Sequence, residues 1–199
     1  CLVGSEMCIR DSSTGKMGRA IAENCMLRGA HVTLVNASVS VEPPMFVDVV
    51  NVTSAADMAD VVKSKAAEQD IIIMTAAVAD FCPSHPADEK IKKNDSSYES
   101  VIELERTEDI LSYLGAHKAK GQLICGFSME TQNMLENSKA KLAKKNADMI
   151  VANNLKVAGA GFGTDTNVVT LITADDCTEL EIMDKSCVAA RIMDRLLQM

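Results

Sequence analysis

IIIMTAAVAD, residues 71–80, is the stretch that decides the fold class. Its first four residues form an apolar, largely β-branched run that is typical of a central strand covered on both faces of a sheet. The run continues into small side chains and ends at Asp80. Ligands of open α/β sheets bind beyond the carboxyl ends of the strands, where small side chains allow close approach to the backbone. We therefore expect a buried parallel strand with a binding site at its end.

Helical and strand-like patterns alternate at short spacing on both sides of this stretch. We predict helices over residues 16–28, 54–69, 108–117, 130–146 and from 185 onward, and strands over 31–35, 47–52, 71–74, 101–104, 123–127, 149–152, 168–172 and 180–183. Gly29 suits the end of the first helix, and Ser54 with Asp57 resembles a capping box at the start of the second. Residues 81–100 are rich in charge and proline, so we expect them to project. The order predicts an α/β fold with a largely parallel sheet flanked by helices.

The composition excludes several classes of function. A chain of 199 residues that is 47% hydrophobic is expected to form one domain. It lacks a bilayer-spanning apolar run and a signal-peptide pattern, so we expect a soluble cytoplasmic protein. A net charge of -8 argues against nucleic-acid binding. The seven scattered cysteines, without a C-x-x-C pair, indicate reduced and mostly core residues, and three separated histidines argue against a metal site or catalytic triad.

Positive charge is concentrated in two short segments of this acidic chain, KIKK at residues 90–93 and KAKLAKK at 139–145. On a helix, Lys141, Lys144 and Lys145 have the spacing that places them on one face. A small anionic ligand would relieve their mutual repulsion. The alternative is a solvated helix face whose lysines pair with acids such as Glu136.

Four further features each allow two interpretations. STGKMG at residues 13–18 opens the first helix and suits an anion site or an ordinary capped helix, since it matches neither a Walker A loop nor a dinucleotide glycine motif. Asp80 suits a base, ribose or metal contact, or a turn or helix cap. Phe127 suits a nucleobase stack or the core. The glycine-rich residues 159–165 suit a mobile lid or a plain connection.

A set of short motifs carries a resemblance. They are STGKMG (13–18), AAVAD (76–80), KIKK (90–93), DIL (109–111), GF (126–127), ET (130–131), the lysines at 141, 144 and 145, and IVAN (150–153). In this order and spacing they resemble the bacterial phosphopantothenoylcysteine synthetase family, from about residue 12 to the end. The resemblance implies a Rossmann-like ligase domain over residues 12–199. In that family the domain usually follows a flavin-dependent decarboxylase half, which this chain does not include.

The resemblance also implies a reaction and its residues. The carboxylate of 4′-phosphopantothenate would attack the α-phosphate of CTP, with Mg²⁺ bridging phosphates, and cysteine would then displace CMP from the acyl-cytidylate. The family pattern places nucleotide contacts at Met74, Thr75, Ala76, Asp80, Lys90, Glu108, Asp109, Ile110, Leu111, Phe127, Lys141 and Lys145. It places substrate contacts at Gly15, Lys16, Met17 and Ala77. It implies a catalytic role for Lys90 and a homodimer with residues 90–93 near the interface.

The start of the chain departs from this family. Family members begin with a strand, a Gly-Thr turn, an arginine and a catalytic asparagine, whereas Asp11 stands at the asparagine position here. We expect residues 1–11 to be foreign sequence that replaces the first strand and exposes a sheet edge. Two alternatives therefore stay open. One is a nucleotide-binding remnant without turnover. The other is a nicotinamide-dependent reductase, although this sequence has neither the dinucleotide glycine fingerprint nor a lysine four residues after Tyr98 or Tyr113 that such enzymes use.

Overall fold

The computed structural model describes residues 14–37, 41–85, 101–129, 133–154 and 164–199. Its helices are α1 (Lys16–Leu27), α2 (Ala55–Ala66), α3 (Ile110–Ala116), α4 (Met134–Lys145) and α5 (Lys185–Leu196). Its strands are β1 (Thr33–Asn36), β2 (Asp48–Asn51), β3 (Ile71–Met74), β4 (Phe81–Pro83), β5 (Leu104–Arg106), β6 (Leu123–Met129), β7 (Met149–Asn153), β8 (Thr166–Asn167), β9 (Val169–Ile172), β10 (Cys177–Glu179) and β11 (Met183–Asp184). Within these ranges, every helix is too short or too polar to cross a bilayer.

The main sheet has five strands in the order β10–β9–β7–β6–β3. β3, β6 and β7 are parallel, and β9 and β10 extend the sheet in antiparallel fashion. β1 and β2 form a separate parallel pair, while β4–β5 and β8–β11 are antiparallel ribbons. The predicted α/β fold with a largely parallel, helix-flanked sheet is confirmed.

The start of α2 shows how local sequence sets an element boundary. The Asp57 N–H donates to Ser54 Oγ at 3.0 Å, and the Ser54 N–H donates to Asp57 Oδ2 at 3.0 Å. This reciprocal pair satisfies two N–H groups that the helix itself leaves unpaired. Hydrogen bonds from Thr53 and Ser54 lower the pKa of Asp57. The predicted capping box is confirmed, and α1 likewise ends just before Gly29, whose φ is +85°.

Two hydrophobic cores lie on opposite faces of β3. Ile71 and Ile73 pack against the core that α1 and α5 cover, and Ile72 and Met74 pack against the core that α2 and α3 cover. This alternation follows from the two-residue period of a strand. The apolar run at 71–74 thus serves both layers of helices, as its composition predicts.

The predicted central position of β3 is wrong for the described residues. β3 is the last strand of the five-stranded sheet and is half-buried along its length, whereas β7 is almost completely buried. Val35 of β1 packs in the same core as Ile72 and Met74, so β1 and β3 share a layer without pairing. An apolar run indicates that both faces of a strand are covered, but it does not indicate which strands pair with it on either side.

Several smaller predictions are also corrected. The strand expected at 101–104 lies at Leu104–Arg106, paired with the unpredicted β4. The strand expected at 180–183 is mostly absent: residues 180–182 connect β10 to β11, and only Met183 lies in a strand. Among the five described cysteines all are free thiols, but only Cys125 is fully buried, so "mostly core" is wrong. Short exposed strands and small thiols give weak hydrophobic signals, which explains these errors.

Phe46 is a strained residue in the connection between β1 and β2. Its φ is +62°, and its side chain is 86% exposed. A left-handed backbone costs an ordinary residue roughly 1–2 kcal/mol relative to glycine. The exposed ring buries little surface that could offset this cost.

We expect Phe46→Gly to raise the free energy of unfolding by about 0.5–1 kcal/mol, after the entropy cost of glycine is subtracted from the relieved strain. Urea denaturation monitored by circular dichroism measures this change. Phe46→Ala is the matched control, because it removes the ring and keeps the strain. Equal stabilisation by both variants would contradict the backbone explanation.

Candidate functional site

The carboxyl ends of β3 and β6 lie next to each other. Met74 stands opposite Gly126 in the ladder, so the next residues, Thr75 and Phe127, occupy the same edge of the sheet. α1 approaches this edge closely, because a Cβ on Gly18 would lie 3.0 Å from Thr75 Oγ1. The fold therefore brings together the end of β3 and the start of α1, which the sequence predicts as two separate contact regions.

A second close approach brings residues 108–111 to the same region. A Cβ on Gly126 would lie 2.7 Å from Leu111 Cδ2, so only glycine lets α3 pack this tightly on β6. The side chains of Ile110 and Leu111 belong to the core beneath α3. Met74 packs in that core as well. For these three residues, the backbone is the part best placed to contact a ligand.

Two of the predicted helix lysines point toward this edge. Lys141 Nζ donates to the Phe127 carbonyl at 2.9 Å. Lys145 Nζ donates to Ser112 Oγ at 2.9 Å and to the Asp109 carboxylate. Lys144 is exposed and makes no such contact, so the prediction that all three lysines act on one face is only partly right. Lys144 and Lys145 lie in different surroundings because α3 packs against the side of α4 that carries Lys145.

Asp109 organises the start of α3. Its carboxylate caps the helix by accepting the Ser112 N–H at 2.9 Å. Partial burial raises its pKa, but hydrogen bonds from Lys145 and Ser112 outweigh that effect and lower the pKa below the ordinary range. Asp109 is therefore ionised at neutral pH and neutralises Lys145. The neighbouring Glu108 faces the other way and pairs with Lys63 of α2.

The small residues after β3 form an exposed rim. Ala76, Ala77 and Asp80 are all exposed. The Asp80 carbonyl accepts the Thr107 N–H at 3.0 Å, which starts the β4–β5 ribbon. A strand follows Asp80, so the alternative of a helix cap is wrong. Searching the described ranges finds no group of three acidic, histidine or cysteine side chains that could hold a metal ion.

A charged cluster next to the start of α1 was missed by the sequence interpretation. Lys16 Nζ lies 2.8 Å from Asp165 Oδ1, and the Lys185 ammonium donates to the Thr164 carbonyl. Lys185 was taken only as the start of a helix. The available signal was its charge, because a lysine at the first position of a helix opposes the helix dipole.

Other predicted residues lie outside the described residues. These are Asp11, Ser13, Lys90 with the rest of KIKK, the ET pair at 130–131 and most of the glycine-rich loop. Their roles stay predictions. Residues 81–85 of the projecting segment are described and form part of the β4–β5 ribbon.

Two depressions mark the surface around α1. The larger, about 790 Å³, is lined by Arg28, Asp194 and Arg195 near the carboxyl end of α1. The smaller, about 510 Å³, is lined by Lys16, Asp165 and Lys185 at the other end of this helix. Of these two, the smaller lies at the start of α1, the part of the helix that Gly18 brings close to Thr75, so we assign the candidate site to that end despite the difference in size.

The comparisons with known proteins agree on one family. Residues 7–199 match the family model described as the DNA/pantothenate metabolism flavoprotein C-terminal domain. The chain is 46% identical over 188 residues to the coenzyme A biosynthesis bifunctional protein CoaBC of Bacillus subtilis, a match that covers 94% of this chain and 46% of that protein. It is 44% identical over 191 residues to a cysteine/cysteine sulfinic acid decarboxylase of an unknown prokaryotic organism, covering 95% and 53%. The chain thus spans about half the length of the curated relatives it matches.

Solved structures give the same result. The crystal structure of the C-terminal domain of a coenzyme A biosynthesis bifunctional protein CoaBC has a TM-score of 0.78 at 42% identity, covering 94% of this chain and 84% of that one. The DNA/pantothenate metabolism flavoprotein from Streptococcus pneumoniae has a TM-score of 0.75 at 19% identity, covering 94% and 89%. The second likeness supports the fold alone.

We expect Asp109→Asn to lower the free energy of unfolding by about 0.5–1 kcal/mol at pH 7, because asparagine keeps the helix cap and removes the half-exposed ion pair with Lys145. A carboxyl group with a lowered pKa stabilises the fold above its unfolded pKa and loses that effect as the pH falls. The difference between the two proteins should therefore begin to shrink at about pH 4, the usual pKa of an unfolded aspartate, and vanish only when the pH falls below the lowered pKa of Asp109 in the folded protein. Urea denaturation at several pH values measures it. A difference that persists at low pH would contradict the ion-pair explanation.

Proposed function

The chain belongs to the DNA/pantothenate metabolism flavoprotein C-terminal domain family, and on this premise we propose that it is a ligase that joins 4′-phosphopantothenate to cysteine using CTP. One observation carries the proposal: the start of α1, the end of β3 and two lysines of α4 converge on one sheet edge. That edge has the small side chains and positive charge that a nucleotide and a phosphorylated acid require. The relative from B. subtilis is named for coenzyme A biosynthesis.

The proposed reaction has two steps. A carboxylate oxygen of 4′-phosphopantothenate attacks the α-phosphorus of CTP, and the bond to pyrophosphate breaks. The cysteine nitrogen then attacks the acyl carbon, loses a proton and displaces CMP. Lys141 and Lys145 are already oriented by the Phe127 carbonyl and by Asp109, so their positive charge needs little rearrangement to stabilise the phosphates.

Mg²⁺ is the proposed metal partner of CTP. This ion usually keeps several waters and binds through one or two carboxylates together with substrate phosphates. The exposed Asp80 carboxylate at the rim fits this requirement, and a larger protein cluster is unnecessary. Bound Mg²⁺ would neutralise phosphate charge at this rim.

We also propose that the protein is a cytoplasmic homodimer. The β4–β5 ribbon and the residues before β5 include four exposed apolar side chains, Phe81, Val101, Ile102 and Leu104. Large exposed apolar patches are typical of protein–protein interfaces. A flavin-dependent decarboxylase half, and catalytic roles for Lys90 and Asp11, stay predictions from the resemblance.

Activity is tested by mixing the chain with Mg²⁺, CTP, 4′-phosphopantothenate and cysteine, and by following pyrophosphate release and product mass. We expect release to require CTP and phosphopantothenate, and the ligated product to require cysteine. Replacing CTP by ATP tests the choice of nucleotide. CTP binding without release would identify a nucleotide-binding remnant, and loss of carbon dioxide from cysteine would favour the activity named for the second relative.

Lys141→Met should lower kcat/KM for CTP by roughly 100-fold, the usual effect of losing one group that stabilises developing charge. Lys144→Met is the matched control, because Lys144 lies on the same helix and is exposed. We expect it to leave kcat/KM unchanged. Equal losses in the two variants would mean that the proposed edge does not bind the nucleotide.

Leu104→Glu should convert the dimer to a monomer, because a charge at a buried interface is not compensated. Ile182→Glu is the control: Leu104 and Ile182 are each 52% exposed, but Ile182 lies away from the ribbon. Sedimentation velocity measures both. A wild-type monomer, or dissociation by both variants, would contradict the interface.

A further inference from the structure

A three-residue segment, residues 107–109, lies between the exposed rim after β3 and the start of α3; we call it the junction segment. Its first residue is tied to the rim twice. The Thr107 N–H donates to the Asp80 carbonyl at 3.0 Å, and the Thr107 hydroxyl donates to the Ala79 carbonyl. A shift of the junction segment would therefore also shift the rim.

The last residue of the junction segment is tied to α4. The Asp109 carboxylate pairs with Lys145 and accepts the Ser112 N–H at 2.9 Å. Lys145 is one of the two lysines at the sheet edge. The junction segment thus connects this lysine to the rim on the far side of the candidate site.

The middle residue of the junction segment, Glu108, is held by α2. Its carboxylate pairs with Lys63, and the Lys63 ammonium also lies over the Tyr113 ring, 5.1 Å from the ring centroid. An ammonium within about 6 Å of a ring centroid is attracted to the ring face. One side chain of α2 therefore contacts both the junction segment and α3.

Tyr113 gives Lys63 an ordered surface to rest on. The Tyr113 ring stacks on the His117 ring, with the centroids 4.1 Å apart, and the Tyr113 N–H donates to the Asp109 carbonyl at 3.0 Å. The ring that Lys63 contacts is thus attached to the same helix start that carries Asp109. Both contacts of Lys63 lead back to the junction segment.

The alternative is an ordinary surface ion pair. The Lys63 and Glu108 side chains are 25% and 46% exposed, so solvent screens their attraction and the pair adds little to stability. An effect through position is different, because small displacements of binding groups are costly. Residues 108–111 and Lys145 are predicted nucleotide contacts. The two interpretations therefore differ in what they predict for nucleotide binding.

We propose that Lys63 is a positioning residue for the nucleotide: through Glu108 and Tyr113 it holds the junction segment, which sets the places of the rim and of Lys145. The inference rests on the proposed ligase function, to which it adds a residue of α2 that is not among the predicted contacts. Lys63 acts through its neighbours and does not touch the nucleotide.

The first test needs neither ligand nor turnover. Native-state hydrogen exchange followed by NMR reports the opening of the hydrogen bond from the Thr107 N–H to the Asp80 carbonyl. This exchange should become roughly 5-fold faster in Lys63→Met, the factor that corresponds to the loss of one partly exposed ion pair. Exchange at Leu180, whose N–H donates to the Val169 carbonyl at 2.9 Å, should not change.

Lys65→Met is the matched control, because Lys65 is the other lysine in the last turn of α2. It lies two positions after Lys63 and therefore points to a different side of the helix. It should leave the exchange of both amides unchanged. Unchanged exchange at Thr107 in Lys63→Met, equal acceleration at Thr107 and Leu180, or acceleration at Thr107 by both variants would overturn the proposal.

Nucleotide affinity tests the consequence for the site. Calorimetry with Mg²⁺ and CTP should give a Kd that is roughly 5-fold higher for Lys63→Met than for the wild-type chain. Lys63→Arg should restore most of the affinity, because arginine can keep both the ion pair and the ring contact. Lys65→Met should bind CTP as the wild type does, although it removes the same charge. An equal loss in Lys65→Met would overturn the proposal.

A double variant tests whether Lys63 acts through Glu108. The loss of CTP affinity in Lys63→Met/Glu108→Met should be no greater than in Lys63→Met alone, since both changes remove the same pair. Losses that multiply would mean that the two residues act independently, which would overturn the proposal.

Kinetics separate position from stability. In Lys63→Met the KM for CTP should rise by the same factor, while kcat and the KM for cysteine stay unchanged, because a loss of uniform binding raises KM alone. A fall in kcat, or an equal rise in the KM for cysteine, would overturn the proposal. A wild-type chain that binds CTP without turnover counts against the proposed function alone, since exchange and calorimetry decide the role of Lys63 without catalysis. A wild-type chain that binds no CTP would overturn the nucleotide role even if the exchange result stands.

Discussion

The parallel pairing of β3 with β6 is the constraint on which the candidate site depends. It places Thr75 beside Phe127, and the close contact of Gly18 with Thr75 then fixes where α1 begins. The contact of Gly126 with Leu111 fixes α3 on the other face. A larger side chain at either glycine would clash with these neighbours, so the two glycines allow the helices to lie close to the strand ends. The site is therefore formed by backbone approach first and by charged side chains second.

The positive charges around this edge are held in two different ways. Lys141 and Lys145 contact a carbonyl, a hydroxyl and a carboxylate that belong to ordered strands and helices. Lys16 is matched by an exposed carboxylate at the start of a ribbon, and Lys185 by a backbone carbonyl. The first pair is rigid and suits a ligand that must be aligned.

The sequence predicted best those features that depend on neighbouring residues. The apolar run at 71–74, the Ser54–Asp57 capping box and the start of α5 at Lys185 were all found where local pattern placed them. Helical spacing, a local property, singled out Lys141 and Lys145, which contact the Phe127 carbonyl and the start of α3; their role in binding stays a prediction. The edge position of β3 was not predictable, since it depends on which strands pair. The partnership of Lys16, Asp165 and Lys185 was missed because it joins segments that are about 150 residues apart and depends on the parallel packing of two helices.

The separation of β1 and β2 from the five-stranded sheet has a consequence for how the molecule responds to stress. Within the described residues, the two groups of strands are linked by side chains, chiefly Val35 and Val52 packing with Ile72 and Met74, and not by a backbone ladder. Hydrogen-bonded ladders couple strands strongly, whereas side-chain packing can be lost in one region at a time. The region from β1 to α2 can therefore open as a unit of its own. The strand ends at Thr75 and Phe127, which the buried β6 and β7 support, would keep their geometry while it does so.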